Sequence, residues 1–147
     1  MPDFLHQLPQ FLGHHAMLAT LFVGIVAALI VIEIRRLFRG YRELTPAALT
    51  LLINRESPLL VDLSNQPDFE KGHIAGAKHV VMSQFDPEQK DLAKVKELPV
   101  AVYCKNGTSS AQASARLVRA GFKHVFMLSG GLNGWKQAGM PTTRGNK

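Results

Sequence analysis

The first strong pattern along the chain is unbroken apolarity. From Ala16 to Ile32 the only polar side chain is Thr20. As a helix this run is roughly 25 Å long at about 1.5 Å per residue. No polar stripe interrupts it, so it is not patterned like a helix packed on a soluble core. It is at the short end for crossing a hydrocarbon layer of about 30 Å. Phe11, Leu12 and Ile34 extend it, and Glu33 and the arginines that follow can snorkel to the interface. A membrane helix is therefore expected over residues 13–34, after a short extracytoplasmic tail at 1–12 and before a basic juxtamembrane linker at 35–44.

Beyond residue 44 the pattern alternates between helical and strand periods. Thr45 followed by Pro46 reads as an N-cap with a first-turn proline, opening a helix over Ala47 to Ile53. Leu59 to Leu63 is an apolar, strand-like run, and Pro67 to Lys71 is a short helical turn stopped by Gly72. A second strand is expected over His79 to Met82 and a helix over Asp91 to Glu97, ended by Pro99. Val100 to Tyr103 reads as a third strand ending at Cys104. Ser109 to Ala120 has helical periodicity, with Gly121 behind it as a C-cap. Val125 to Leu128 is a fourth strand, and Gly130-Gly131 turns into a last helix around Trp135. Strands separated by helical stretches imply an α/β fold with a parallel sheet covered on both faces by helices. The expected domain spans residues 45–147 and is preceded by one transmembrane helix.

Composition sharpens this picture at two points. The apolar share of 46 % excludes disorder as the main state. A single cysteine, Cys104, excludes a disulfide framework, a cysteine zinc cluster and an intramolecular disulfide switch. The net charge of +6 raises nucleic acid as a partner, but no aromatic-basic interleaving or zinc-finger spacing supports it, and no nucleic-acid partner is expected. Four of the basic residues, Arg35, Arg36, Arg39 and Arg42, directly follow the apolar run, and no lysine or arginine precedes them. By the positive-inside rule the N-terminus lies outside a bacterial inner membrane and the domain in the cytoplasm. A cleaved signal peptide is the competing reading. It lacks a basic start, and its weak cleavage match, Val26-Ala27-Ala28, falls inside the apolar run. Gly24, Ala27 and Ala28 are small residues of the kind that supports helix packing in a membrane.

The stretch Cys104-Lys105-Asn106-Gly107-Thr108-Ser109-Ser110 carries the candidate chemistry. The cysteine stands at the carboxyl end of an expected buried strand, the edge where open α/β sheets bind ligands. Backbone N–H groups in a short glycine-containing loop can converge as an anion-binding nest, and a helix N-terminus adds positive potential. Both favour the thiolate, which is the nucleophilic form. Lys105 adds a cation, Gly107 permits a positive φ, and Thr108, Ser109 and Ser110 can donate hydrogen bonds or cap the helix. An inert buried cysteine is the alternative reading. No histidine or carboxylate lies close in sequence to act as a base.

Three stretches resemble the rhodanese family, the sulfurtransferase domain. Val61-Asp62-Leu63 with Asp68-Phe69-Glu70-Lys71-Gly72-His73-Ile74-Ala75-Gly76-Ala77 is similar to its N-terminal signature. Cys104 to Ser110 is similar to its active-site loop, and Val125 to Trp135 with Gly139-Met140-Pro141 to its C-terminal signature. With the apolar segment, the whole resembles the single-pass membrane rhodaneses of bacteria.

The resemblance implies that Cys104 attacks the outer sulfur of a donor such as thiosulfate, carries it as a persulfide and passes it to a thiol or cyanide acceptor. Lys105, Asn106, Gly107, Thr108, Ser109 and Ser110 would cradle the anionic sulfur by the logic of preorganised donors. No cofactor and no metal is implied. Related phosphatases close a longer loop with an arginine, and here Ser110 stands in that place. The family's usual arginine after the signature aspartate is replaced by Ser64, so an ion pair to Asp68 or Glu70 is expected to be missing. An alternative is an interaction module serving a membrane-protein partner such as the protein-insertion machinery. A third reading is a redox-sensing thiolate. The lipid bilayer is the expected partner of residues 13–34.

Other polar residues are read as structural. Asp62 is expected to hydrogen-bond backbone, His73 to have no metal role, and Trp135 to anchor the last helix. His14 and His15 are assigned to the membrane interface, and Arg116 and Arg119 to a solvated helix face.

Overall fold

The computed structural model describes residues 15–145. The expected tail at 1–12, and residues 13 and 14 at the start of the expected membrane helix, His14 among them, lie outside the described residues. The chain divides into two units between Arg39 and Gly40.

The first unit holds one helix, α1, Ala16–Leu37. Its apolar side chains are exposed and none of its residues is buried. Thr20 turns its hydroxyl inward and donates to the carbonyl of Ala16 at 3.0 Å, so the one polar group in the run is satisfied by its own helix. The helix continues through Ile34 into Arg35 and Arg36, which form its last turn, where cations oppose the partial negative charge of the free carbonyls.

The second unit is a five-stranded sheet in the order β1-β5-β4-β2-β3. The strands are β1 (Arg42–Leu44), β2 (Leu59–Asp62), β3 (Lys78–His79), β4 (Pro99–Tyr103) and β5 (His124–Leu128), and every pairing is parallel. The helices are α2 (Pro46–Glu56), α3 (Gln66–Lys71), α4 (Lys90–Ala93), α5 (Thr108–Arg119) and α6 (Gly131–Gln137). Thr45 caps α2 by accepting the N–H of Ala48 at 3.3 Å, with Pro46 in the first turn.

Both faces of the sheet are covered, which is why its inner strands β2, β4 and β5 are mainly apolar rather than alternating. On β4 successive side chains point to opposite faces. Val100, Val102 and Cys104 pack with Ala113 and Leu117 of α5. Ala101 and Tyr103 pack with Leu49 of α2 and with Leu132 and Trp135 of α6. The central strand is thus gripped on both sides, and the Cys104 side chain that follows it packs on the α5 side.

Three local expectations are corrected. Arg42–Leu44, assigned to the linker, pairs with β5 as an edge strand. An edge strand has one neighbour and needs no apolar run, so Arg-Glu-Leu leaves no period to read. The strand expected over His79 to Met82 is only Lys78–His79. Val80 still donates its N–H to Asp62 O, but Met82–Gln84 turns as a 3-10 helix. The helix expected over Asp91 to Glu97 ends at Ala93 and continues as turns, with Val95 N–H to Leu92 O and Leu98 N–H to Val95 O.

Candidate active site

Cys104 follows the central strand β4 and is buried, 3 % exposed. The loop behind it reverses direction at Gly107, whose φ of +96° lies in the left-handed region. That conformation aims the Gly107 N–H at Cys104 Sγ, 3.1 Å away. Asn106 Oδ1 accepts the N–H of Thr108 at 3.3 Å, tightening the same turn. Helix α5 then starts at Thr108 with Gly107 in the cap position, and no side chain caps it. The hydroxyls of Thr108, Ser109 and Ser110 therefore do not serve as N-caps. Ser110, fully buried, instead donates from Oγ to the Gly107 carbonyl at 2.8 Å.

Sγ lies 3.7 Å from both Ser110 Oγ and Asn106 Oδ1, either of which accepts the thiol proton. When that proton is lost, the Ser110 hydroxyl is placed to swing from the Gly107 carbonyl to the thiolate. Burial pushes the Cys104 thiol up, but the backbone N–H and hydroxyl of Ser110 and the backbone N–H groups of Asn106 and Gly107 outweigh it. The net effect holds the thiol below its ordinary value. Among the described residues, no histidine or carboxylate is a hydrogen-bond partner of Cys104. The loop itself, rather than a paired base, favours the thiolate.

Two other segments hold the loop. From the start of α6, Leu132 N–H donates to Cys104 O at 2.8 Å and Asn133 N–H to Lys105 O at 3.0 Å. From α3, Asp68 reaches Lys105 Nζ at 3.2 Å. The sequence motifs therefore meet: all three stretches singled out along the chain contribute to one loop. The roles of Leu132 and Asn133 are not visible in their side chains, because they act through backbone N–H groups; Gly130-Gly131 is the one signal of that close approach. Ser64 makes no ion pair, as expected, but Asp68 is not left without a partner, because Lys105 pairs with it.

The residues read as structural are so placed. Asp62 is fully buried and Oδ1 accepts the Ser64 N–H at 2.8 Å. Burial of Tyr103, and after it the charge of Asp62, push that phenol well above its usual range. His73 is buried, stacks on Phe69 with ring centroids 3.9 Å apart, and holds Phe69 O through Nδ1 at 3.0 Å. Trp135 donates from Nε1 to Pro141 O at 2.8 Å.

Comparison with known proteins agrees with this geometry. Residues 45–138 match the rhodanese-like domain family. The chain belongs to the rhodanese family. It is 32 % identical over 142 residues to the uncharacterized protein YibN of Escherichia coli K12, a match covering 96 % of this chain and 99 % of YibN. So long a match takes in α1 as well as the rhodanese domain. It is 36 % identical over 107 residues to the thiosulfate sulfurtransferase GlpE of Coxiella burnetii, covering 73 % of this chain and 97 % of GlpE. The rhodanese-related protein of Thermoplasma volcanium superposes with a TM-score of 0.61 at 24 % identity, covering 70 % of this chain and 98 % of that one, a likeness of fold.

Proposed function

We propose that this chain is a membrane-anchored sulfurtransferase that moves a sulfane sulfur through a persulfide on Cys104. The observation that carries the reading is the Gly107 N–H aimed at Sγ at 3.1 Å, in a loop whose donors hold the thiol below its ordinary value. The likeness to GlpE, a thiosulfate sulfurtransferase, supports the same chemistry.

In the first half-reaction the Cys104 thiolate attacks the outer sulfur of thiosulfate. A new S–S bond forms on Cys104, the donor's S–S bond breaks, and sulfite leaves with the electron pair. In the second, a thiolate or cyanide attacks the outer persulfide sulfur and Cys104 leaves as the thiolate. Covalent catalysis thereby splits one transfer into two easier steps. The backbone N–H groups of residues 105–110 stabilise the anionic sulfur in both directions without reorganising. Ser110, with no guanidinium in the loop, leaves phosphate without a bidentate clamp.

The membrane half of the proposal rests on α1, a helix long and apolar enough to span a bilayer and followed by arginines. The test uses the full-length chain in detergent. It is incubated with thiosulfate, freed of excess, and its intact mass taken without reductant. A gain of one sulfur atom, reversed by a thiol and absent in Cys104→Ser, is expected. No gain from thiosulfate or from an organic persulfide, with Cys104 reduced, overturns the reading. In cells, full function of Cys104→Ser favours a partner-binding role at the membrane instead.

A further inference from the structure

The loop from Cys104 to Ser110 contains one charged side chain, Lys105. A thiosulfate dianion approaching Cys104 is drawn by that ammonium, which is carried by the residue next to Cys104 and acts over a Debye length of about 8 Å. Yet Lys105 is engaged. Asp68 reaches its Nζ with both carboxylate oxygens, at 3.2 and 3.4 Å. Asp68 is the more enclosed member of the pair, its side chain 20 % exposed against 58 % for Lys105. It sits in the first turn of α3, whose cap Asn65 accepts the Asp68 N–H at 3.0 Å, so the backbone that carries the carboxylate is held.

We infer that Asp68, through its ion pair with Lys105, sets the donor preference of this site, turning it from dianionic donors towards donors of lower charge such as the persulfide of a thiol. The carboxylate cancels the loop's only side-chain cation and leaves the backbone donors as the main attraction for sulfur. Those donors stabilise one developing negative charge on sulfur, which a persulfide supplies, whereas thiosulfate brings a second charge with nothing opposite it. With a persulfide R–S–SH, the Cys104 thiolate attacks the outer sulfur, the donor's S–S bond breaks, and the thiolate RS⁻ leaves with the electron pair. The donor half of this inference rests on the sulfur-transfer reading, whereas the charge coupling between Asp68, Lys105 and Cys104 does not.

Two measurements on the full-length chain test it. The first is the thiolate ultraviolet absorbance less that of Cys104→Ser titrated in parallel, a difference that reports Cys104 because the chain has no other cysteine. Asp68→Asn is expected to lower the titration midpoint of Cys104, Lys105→Gln to raise it, and the double variant to lie near the wild type. The second is the ratio of kcat/KM for thiosulfate to that for an alkyl persulfide. Removing one screened charge near a dianion is expected to raise this ratio about five- to tenfold in Asp68→Asn, through KM rather than kcat. The gain is expected to be lost when Lys105→Gln is added and to shrink with salt.

A purely structural Asp68 would slow both donors alike and leave the ratio unmoved, which overturns the proposal. So does a Cys104 midpoint that ignores both charges. Lys105→Gln alters an exposed side chain and keeps the test open if Asp68→Asn fails to fold. In that case a fall in the ratio is the supporting result, and an unchanged ratio overturns the inference. Transfer from neither donor, with the midpoint shifting as expected, defeats the sulfur-transfer reading and the donor claim with it while leaving the charge coupling standing.

Discussion

Gly131 lies against the backbone of Cys104 so closely that a single methyl group cannot fit between them. A Cβ on Gly131 would collide with the Cys104 carbonyl oxygen and lie 2.8 Å from Gly107 N and 2.9 Å from Asn106 N. All three contacts are backbone, so no side chain can move aside. The residue also has φ of +59°, a conformation that costs an L side chain about 1–2 kcal/mol on its own. Gly131→Ala is expected to displace the loop, with loss of persulfide formation at Cys104 and a lower unfolding midpoint. Gly121, also at positive φ but with open space around it, is the control. Gly121→Ala should cost stability and leave the Cys104 chemistry intact. Equal loss of persulfide in both variants would show that the contact with Cys104 is not what matters.

Because the loop's hydrogen bonds hold the Cys104 thiol below its ordinary value, its alkylation by iodoacetamide is expected to reach its plateau at lower pH than that of an unperturbed thiol. The sign follows from the charged form: donors that stabilise the thiolate let it form at lower pH. Ser110→Ala removes one such donor, worth about 0.5–1.5 kcal/mol. The midpoint should then move up and the rate at neutral pH fall about two- to tenfold. A midpoint unchanged by Ser110→Ala would place the effect elsewhere in the loop.

Ser114 offers a stability prediction independent of the chemistry. It lies in the middle of α5, fully buried, and its hydroxyl has no hydrogen-bond partner among the described residues. Alanine is the better helix former by about 0.5 kcal/mol and leaves no polar group to desolvate. Ser114→Ala is expected to stabilise the chain by about 1 kcal/mol, read as a higher midpoint in denaturant with an unchanged slope. Destabilisation would mean that the hydroxyl has a partner in solution, most simply a bound water.

How much of this was open to reading from the residues depends on whether the signal was local. Thr45 and Pro46 marked the start of α2, and Gly121 sits just past α5 at φ of +90°, as a helix stop should. β2, β4 and β5 were readable because strands buried on both faces are apolar along their length. β1 and most of the β3 region were not, since an edge strand and a short bridge are defined by the neighbour they pair with. In the site, Cys104 and Gly107 could be placed from spacing and chemistry. The Lys105 to Asp68 pair joins residues far apart in sequence, and Leu132 and Asn133 act through groups every residue carries. The pair leaves no mark in the order of amino acids, and the backbone contacts leave only Gly130-Gly131.

The reading of α1 as a retained anchor has a direct test. At 22 residues the helix is about 33 Å long, matching a hydrocarbon core of about 30 Å. Its only polar group in the apolar run is bonded to its own backbone, as lipid requires. A cleaved leader would instead be removed, and its weak cut site after Ala28 would leave Leu29 as the new N-terminus. The chain recovered from membranes is therefore expected to keep α1 in its mass and to resist alkaline carbonate extraction. In inverted membrane vesicles, protease added outside should reach the rhodanese domain, as the arginines after the helix predict. A soluble product beginning at Leu29 would overturn the anchor. Protection of the domain in inverted vesicles would overturn the orientation and leave the anchor in place.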